Sequence, residues 1–157
     1  MDAQITTLIP TYRRPQLLVQ AIRNVLNQTY RNFELHVFDN ASGDDTARVV
    51  QEFANEDQRV KYHCHLANIG LMQNFRAGIE SVSTPYFNLL SDDDYLLPDF
   101  FETAIQGISA GNDFGFFFGG LLFFDGRQVV AAPVERWGIE GAVAPEQMFK
   151  ALFHPGG

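Results

Sequence analysis

The chain is poor in cysteine and contains no long uninterrupted apolar stretch. Cys64 is the only cysteine in 157 residues, which excludes an internal disulfide and favours a reducing compartment. The apolar run from Phe114 to Phe124 is interrupted by glycines and is shorter than the roughly 18 residues that a membrane helix needs. The first residues also lack a charged leader followed by an apolar stretch. We therefore expect a cytoplasmic protein without an integral membrane segment, with peripheral binding at the inner membrane face as the alternative.

Basic residues are scarce relative to acidic ones. The chain has 11 Lys and Arg against 19 Asp and Glu, and its formal net charge is -8. This balance argues against a nucleic-acid partner, because no Lys/Arg-rich stripe is present to displace counterions from a phosphate backbone. The apolar content of 46% and the charged content of 19% are typical of a globular chain, and 157 residues correspond to one domain.

The apolar pattern alternates between short continuous runs and residues at helical spacing. Runs that predict buried strands lie at residues 5–9, where Pro10 is expected to stop the strand, and at 33–38, 60–64 and 86–90. Helices are predicted between and after these runs, and their inner faces are Leu17, Leu18, Ala21, Ile22, Val25 and Leu26; Val49, Val50 and Phe53; Met72, Phe75, Ala77 and Ile79; and Phe100, Phe101, Ala104, Ile105 and Ile108. This alternation predicts an α/β fold with a mainly parallel sheet and helices on both faces. A short β-hairpin is predicted later, around Asp125 and Gly126.

Three adjacent carboxylates, Asp92, Asp93 and Asp94, follow directly after the fourth predicted strand. Carboxylate oxygens suit hard divalent ions such as Mg²⁺ or Mn²⁺, and Mg²⁺ is usually held by one or two carboxylates together with substrate phosphates. The triplet therefore indicates a site for a phosphate-bearing ligand. The alternative is a solvated acidic loop that caps the helix beginning near Pro98.

Two other polar segments also follow predicted strands. Residues 10–14 come after the first strand, and residues 39–44 come after the second. Because ligands of parallel sheets bind outside the carboxyl ends of the strands, we expect these segments and the acidic triplet to meet at one edge. Their convergence strengthens the functional interpretation of the triplet.

The order of these segments resembles the family two glycosyltransferases, inverting enzymes with the Rossmann-like GT-A fold that transfer a sugar from a nucleotide donor. The family's N-terminal signature is similar to TTLIPTYRRPQLLVQAIRNVLNQTYRNFELHVFDNASGDDT, its Asn-x-Gly segment to NIGLMQNFRAGIE, and its Asp-x-Asp segment to LLSDDDYLLPDFFE. The resemblance covers roughly residues 4 to 110. It implies a nucleotide-diphospho-sugar donor, a glycan or other hydroxyl acceptor, and Mg²⁺ or Mn²⁺ as cofactor.

The resemblance also implies roles for residues that bind the nucleotide. The matched positions are Pro10, Thr11 and Tyr12 around the base, Asp39 accepting from the base, Asp92 near the ribose, and Asn68, Gly70 and Asn74 close to the diphosphate or base. A carboxylate at Asp39 suits an imide N–H, although a turn residue is the alternative there. For the third group, the alternatives are an element boundary at Gly70 and an exposed helix residue at Asn74.

Phosphate and metal contacts complete the expected site. Arg14, together with Arg13, suits phosphate oxygens through its two-pronged guanidinium, or else is a solvated charge at the helix entry next to Pro15. The metal is expected on Asp93 or Asp94. In the commonest family wording an Asp stands at the place of Ser91, and that register makes Asp93 and Asp94 the equivalents.

A family member of this kind needs a general base, usually from its C-terminal half, to deprotonate the acceptor. That half is not recognisable here, and Glu135, Glu140 and Glu146 are candidates by residue type only. We therefore expect a single domain over residues 1–157, in which 1–110 form the nucleotide-sugar-binding lobe and 111–157 begin an acceptor-side region that is truncated. Fifteen Phe in the chain then predict an uncovered apolar patch and self-association through Phe114 to Val130.

Two other classes of protein are compatible with parts of this pattern. A non-catalytic module would bind the nucleotide sugar without turnover. A receiver domain would be phosphorylated on Asp39, but it needs a Lys at a late strand end. The only Lys after residue 61 is Lys150, in a final helix predicted near Pro145 to Phe153. The neighbouring His63 and His65 are expected to be a surface pair rather than a ligand set.

Overall fold

The computed structural model describes residues 4–109, Phe117 and two short strands at 122–124 and 129–131. The strands are β1 (Ile5–Thr11), β2 (Phe33–Asp39), β3 (Val60–Cys64), β4 (Tyr86–Leu89), β5 (Leu122–Phe124) and β6 (Val129–Ala131). The helices are α1 (Pro15–Leu26), α2 (Thr46–Glu56), α3 (Leu71–Glu80) and α4 (Phe100–Ser109). Of these helices, none is long and apolar enough to cross a membrane.

The chain divides into two compact units, Met1–Phe101 and Glu102–Gly157. The first unit contains a four-stranded sheet in the order β3-β2-β1-β4, and every pairing in it is parallel. The second unit contains the antiparallel pair of β5 and β6. These observations confirm the predicted α/β fold, its mainly parallel sheet and the later hairpin.

The order of the strands determines where the helices and the site lie. The chain steps from β1 to β2 and then to β3 in one direction, whereas the next step returns past β1 to β4. Because such crossovers are right-handed, α1 and α2 cover one face of the sheet and α3 covers the other. The reversal creates a topological switch point between β1 and β4, where open α/β sheets bind their ligands.

Strand β1 continues through Pro10, so the prediction that Pro10 stops the strand is wrong. Pro10 pairs with Phe38 of β2 and is followed by Thr11, which pairs with Asp39. The Leu8 carbonyl faces β4, where it accepts from the Leu90 N–H. Every second residue of a strand directs its backbone groups to the same neighbour, so the nitrogen of Pro10 also faces β4. The ladder with β4 ends at Leu89, and the missing N–H of proline is therefore not needed there.

The inner faces of two helices differ from their predictions. In α1 the stripe of Leu18, Ile22 and Val25 is buried as predicted, but Leu17 is exposed because it lies to the side of that stripe. In α3 the predicted inner residues Met72 and Ile79 are exposed, and a polar and a small residue are buried instead, Asn74 and Gly78.

Gly78 explains why α3 buries so little apolar surface of its own. A Cβ at this position would lie 3.4 Å from the Phe38 side chain and 3.5 Å from the Leu8 side chain. These are ordinary van der Waals distances, so the backbone of α3 packs closely on the side chains of the sheet and leaves room for no more than about a methyl group. This close approach brings the first turn of α3 next to the end of β2.

The face of the sheet under α3 also carries two histidines, His36 and His63. The His63 ring stacks on Phe38 with centroids 4.5 Å apart, and His36 is buried beside it. Burial lowers the pKa of both His36 and His63. Of the predicted surface pair, His63 and His65 are both half-buried, and the His63 ring lies against Phe38.

Candidate functional site

A cavity of about 470 Å³ opens at the switch point, at the carboxyl ends of β1, β2 and β4. Its lining residues are Pro10, Thr11, Tyr12, Arg14, Asn40, Asn68, Leu71, Asn74, Phe75, Ser91, Asp92 and Asp93. All of these residues belong to the first compact unit. Most of the residues singled out in the sequence therefore meet around one space, whereas Asp39, Gly70 and Asp94 lie outside the lining set.

Asp92 is the buried carboxylate of the acidic triplet and is only 5% exposed. Its Oδ2 accepts a hydrogen bond of 2.7 Å from the Thr11 hydroxyl at the end of β1. Its Oδ1 accepts one of 3.1 Å from Nη1 of Arg14. These two contacts tie the loop after β4 to the loop after β1, so Asp92 is not part of a solvated cap.

Asp93 and Asp94 have different environments although they are neighbours. Oδ2 of Asp93 lies 3.0 Å from the same Arg14 nitrogen and borders the cavity. Asp94 forms a turn in which its backbone N–H donates to the Ser91 carbonyl at 3.2 Å, and in the described chain its exposed carboxylate has no hydrogen bond. Mainly because of Asp92, the pKa of the Arg14 guanidinium is raised.

The donor set around Asp93 suits a divalent metal only in combination with a ligand. Within the described residues, no three His, Cys, Asp or Glu side chains form a metal-binding group. Asp93, beside the fixed Asp92, supplies carboxylate oxygens on the cavity wall. One or two carboxylates together with substrate phosphates form the coordination that Mg²⁺ commonly uses, so these residues fit the expected Mg²⁺ or Mn²⁺.

Asp39 is buried and its carboxylate is occupied by partners within the chain. It is 1% exposed, and Oδ1 accepts from the backbone N–H of Ser42 at 2.9 Å and from the Ser42 hydroxyl. Oδ2 accepts from the Tyr62 hydroxyl at 2.6 Å. Burial and this bond to Asp39 raise the pKa of Tyr62. The contact of Asp39 with a nucleotide base stays a prediction, because this carboxylate is buried and does not line the cavity.

The loops after β1 and β2 are held together in strained conformations. Arg13 and Ala41 both have left-handed backbones, with φ of 56° and 62°. The hydroxyl of Ser42 accepts from the Arg13 N–H at 2.8 Å, and the Ser42 carbonyl accepts from Nε of Arg13 at 3.1 Å. Backbone strain of this kind costs roughly 1–3 kcal/mol per residue and persists only where surrounding contacts enforce it.

Asn40 lies in the polar segment 39–44 that the sequence placed at the site, but no role was predicted for it. Its side chain is buried, accepts from the Ile69 N–H at 2.8 Å and donates to Asn68 Oδ1 at 3.1 Å. The same Asn68 oxygen accepts from the Gly70 N–H at 2.9 Å. Asn40 thereby fixes the loop before α3, and its position directly after the buried strand β2 was the available signal.

Asn74 connects α3 to the end of β2 from inside the protein. It is 2% exposed, and its Nδ2 donates to the Phe38 carbonyl at 2.9 Å. Its Oδ1 lies 2.9 Å from Nε2 of His65. The alternative of an exposed helix residue is therefore wrong for Asn74. Gly70 precedes α3 with φ of 83°, a left-handed conformation that favours glycine.

Comparison with known protein families assigns the chain that forms this cavity to a family. Residues 6–130 match the sequence model of the family described as Glycosyl transferase family 2. The chain belongs to this family. The match includes all of the residues that line the cavity and extends past the range of roughly 4 to 110 covered by the motifs.

Individual relatives agree with the family assignment. The chain is 33% identical over 109 residues to GalNAc(5)-diNAcBac-PP-undecaprenol beta-1,3-glucosyltransferase of Campylobacter jejuni, which covers 69% of this chain and 35% of that protein. The fold of the present chain is similar to that of S. aureus TarS 1–349 in complex with UDP-GlcNAc, with a TM-score of 0.64 at 19% identity. The match covers 70% of this chain and 32% of that one.

A further solved structure is the mannosyltransferase PcManGT of Pyrobaculum calidifontis in complex with GDP-Man and Mn²⁺. Its TM-score is 0.55 at 19% identity, and the match covers 60% of this chain and 29% of that one. The chain thus spans about a third of the length of these relatives. These likenesses confirm the fold that the sequence predicted.

Proposed function

We propose that the chain carries the donor-binding part of a glycosyltransferase that transfers a sugar from a nucleotide-diphospho-sugar to an acceptor hydroxyl with inversion and with a divalent metal. The observation that carries the proposal is the cavity at the switch point between β1 and β4. Residues from the segments after β1, β2, β3 and β4 converge there in a chain of this family. The complexes of TarS with UDP and with UDP-GlcNAc support a nucleotide sugar as the ligand class.

The charges at the cavity support a diphosphate and a metal rather than an apolar ligand. The Arg14 side chain is half-exposed at the cavity. Its planar guanidinium can bind phosphate oxygens through two parallel hydrogen bonds. Asp93, which lies 3.0 Å from Arg14, offers carboxylate oxygens on the cavity wall. Together they offer a cation to the phosphates and an anion to the metal. When bound, the metal would stabilise the charge that develops on the departing diphosphate.

Each remaining residue of the cavity has a positioning role in this proposal. Tyr12 offers an exposed aromatic face to the base at the rim, next to Pro10. Thr11 holds Asp92 in place, and Asp92 in turn orients Arg14. Asn40 and Asn74 keep the loops around the donor rigid. Holding the donor in line in this way lowers the barrier to attack by the acceptor hydroxyl.

A binding module without turnover is the second candidate function. Asp92 and Asp93 are the only carboxylates among the lining residues of the cavity in the described chain, and both are assigned to the donor. No further carboxylate there is free to act as general base. The three candidates by residue type, Glu135, Glu140 and Glu146, lie outside the described residues, as does most of the predicted self-association segment from Phe114 to Val130.

Calorimetric titration with UDP, GDP and dTDP, each with and without Mn²⁺, tests the binding proposal. We expect one nucleoside diphosphate to bind in a metal-dependent manner. Hydrolysis or transfer from the matching radiolabelled nucleotide sugar then separates an enzyme from a binding module. Equal binding with and without metal would contradict the assigned role of the acidic pair.

A further inference from the structure

The arginine at the mouth of the cavity bridges both acidic residues through a single atom. Nη1 of Arg14 lies 3.1 Å from Oδ1 of Asp92 and 3.0 Å from Oδ2 of Asp93. Asp92 is held independently by the Thr11 hydroxyl, whereas Arg14 is the only side chain of the described residues that binds the Asp93 carboxylate. The bridge is therefore fixed at Asp92, whereas its contact with Asp93 can open without breaking another hydrogen bond.

We propose that Arg14 occupies the position of the metal on Asp93 until a diphosphate draws it away, so that metal binding and nucleotide binding favour each other. The inference rests on the proposed function, because it assigns Arg14 a second acceptor in the phosphates. In this proposal Arg14 is a positioning residue that determines when the Asp93 carboxylate can bind the metal.

Electrostatics makes the two cations alternatives to each other. A divalent ion on Asp93 Oδ2 would lie within a few ångström of the guanidinium, and two cations at that distance repel strongly at the low effective dielectric of a protein cleft. Arg14 must therefore leave Asp93 before a metal binds there. The side chains of Arg14 and Asp93 are 51% and 48% exposed, so both have room to move.

A diphosphate offers Arg14 a better partner than the one it leaves. Guanidinium binds phosphate oxygens through two parallel hydrogen bonds, whereas a single nitrogen of Arg14 serves both carboxylates here. Movement of Arg14 to the phosphates releases Asp93 at the same moment that phosphate oxygens become available to complete the metal coordination. The two ligands thus favour each other's binding, and such coupling is reciprocal.

Arg48 provides a matched control for this arrangement. It also bridges two carboxylates, with Nη2 at 3.2 Å from Asp45 and Nη1 at 2.7 Å from Glu52, but it lies on the exposed surface of α2. Arg48→Gln therefore changes the net charge by the same amount as Arg14→Gln, and it breaks the same kind of bridge away from the cavity. Arg14→Lys retains the charge and is expected to retain the competition.

The proposal is tested in the wild type and in Arg14→Gln, Arg14→Lys and Arg48→Gln. Each form of the 157-residue chain is titrated with Mn²⁺ alone, with UDP, GDP or dTDP alone, and with Mn²⁺ in the presence of each nucleotide. For Arg14→Gln we expect Mn²⁺ alone to bind about tenfold more tightly, the nucleotide alone to bind more weakly, and the coupling between them to fall. Arg48→Gln should match the wild type in all titrations.

The outcomes separate this inference from the proposed function. Unchanged or weaker binding of Mn²⁺ alone to Arg14→Gln, with metal-dependent nucleotide binding still present, overturns the coupling and leaves the proposed function standing. Absence of any nucleoside diphosphate binding to the wild type overturns the proposed function and this inference together. A gain in Mn²⁺ affinity in both Arg14→Gln and Arg48→Gln reduces the effect to net charge and also overturns the inference.

Discussion

Two buried carboxylates flank the end of β1, and they differ in the donors that surround them. Asp39 at the end of β2 accepts from Ser42 and Tyr62, which are neutral groups, and it does not line the cavity. Asp92 after β4 accepts from Thr11 and Arg14 and forms part of the cavity wall. Burial is similar at both positions, so the charge and mobility of the partners distinguish a structural carboxylate from one prepared for a ligand.

The largest loss of stability is expected at Asp39. Asp39→Ala leaves the buried donors of Ser42 and Tyr62 without an acceptor, and we expect a loss of about 3 kcal/mol in the free energy of unfolding. Urea denaturation measures it, and Tyr62→Phe, which removes only one donor, should cost about 1 kcal/mol. If Asp39→Ala instead keeps its stability but loses nucleotide affinity, the carboxylate is a ligand contact and the contrast with Asp92 disappears.

A smaller loss of stability, combined with loss of binding, is expected at Asp92. Asp92→Ala removes the acceptor of Thr11 and one end of the Arg14 bridge, at a cost of about 1–2 kcal/mol. The same change should abolish measurable nucleoside diphosphate binding, because Arg14 and Asp93 lose their fixed reference point. Denaturation and calorimetry on one preparation give both values, and the isosteric Asp92→Asn should retain more stability than affinity.

The histidines under α3 are expected to make stability depend on pH. His36 Nε2 lies 3.2 Å from Glu34 Oε1, yet in the described chain neither ring nitrogen of His36 makes a hydrogen bond, and His63 and Lys61 add positive charge nearby. Because burial lowers the pKa of His36, the unfolded chain binds more protons just below pH 6.5, so stability is complete above that pH and falls as pH decreases. Thermal unfolding between pH 7.5 and about 5 measures the decrease.

His36→Phe provides the control for this dependence. The variant keeps an aromatic ring in the same packing but removes the titrating group, so its melting temperature should vary less with pH over the same range. An identical slope in wild type and variant would assign the pH dependence to other groups.

The smallest effect on stability is expected at the most exposed acids. Asp93→Ala and Asp94→Ala should each change the free energy of unfolding by less than about 0.5 kcal/mol, since exposed ion pairs contribute little. Metal-dependent nucleotide binding should nevertheless weaken at least about tenfold in Asp93→Ala and much less in Asp94→Ala. The reverse ranking would favour the other register of the triplet, with Asp94 as the main metal ligand.

Local sequence patterns were sufficient for most of the fold. The four strands of the parallel sheet and the four described helices follow from apolar runs and helical spacing, because buried parallel strands and amphipathic helices leave different periods in the sequence. The errors occurred where tertiary contacts override that pattern. Pro10 continues a strand because β4 has already ended beside it, and α3 buries Asn74 and Gly78 because it lies so close to Phe38.

The candidate site was only partly predictable for a related reason. Motifs located Thr11 at the end of β1 and Arg14 and Asp93 in the loops after β1 and β4, and the switch point brings these segments together. No role was predicted for Asn40, because its side chain bonds to residues 68 and 69, which are distant in the sequence. The internal partners of Asp39 were equally invisible, since Tyr62 comes from the neighbouring strand β3.

The amino-acid sequence by itself determined the strand and helix order, the family motifs and the presence of an acidic triplet, because these depend on residue type and local spacing. Only the tertiary structure decided which carboxylates are closed off and which face the cavity. That distinction depends on donors supplied by other strands, and in particular on one guanidinium after β1 that reaches two carboxylates after β4. Hydrogen-bond partners so far apart along the chain leave no periodic signal.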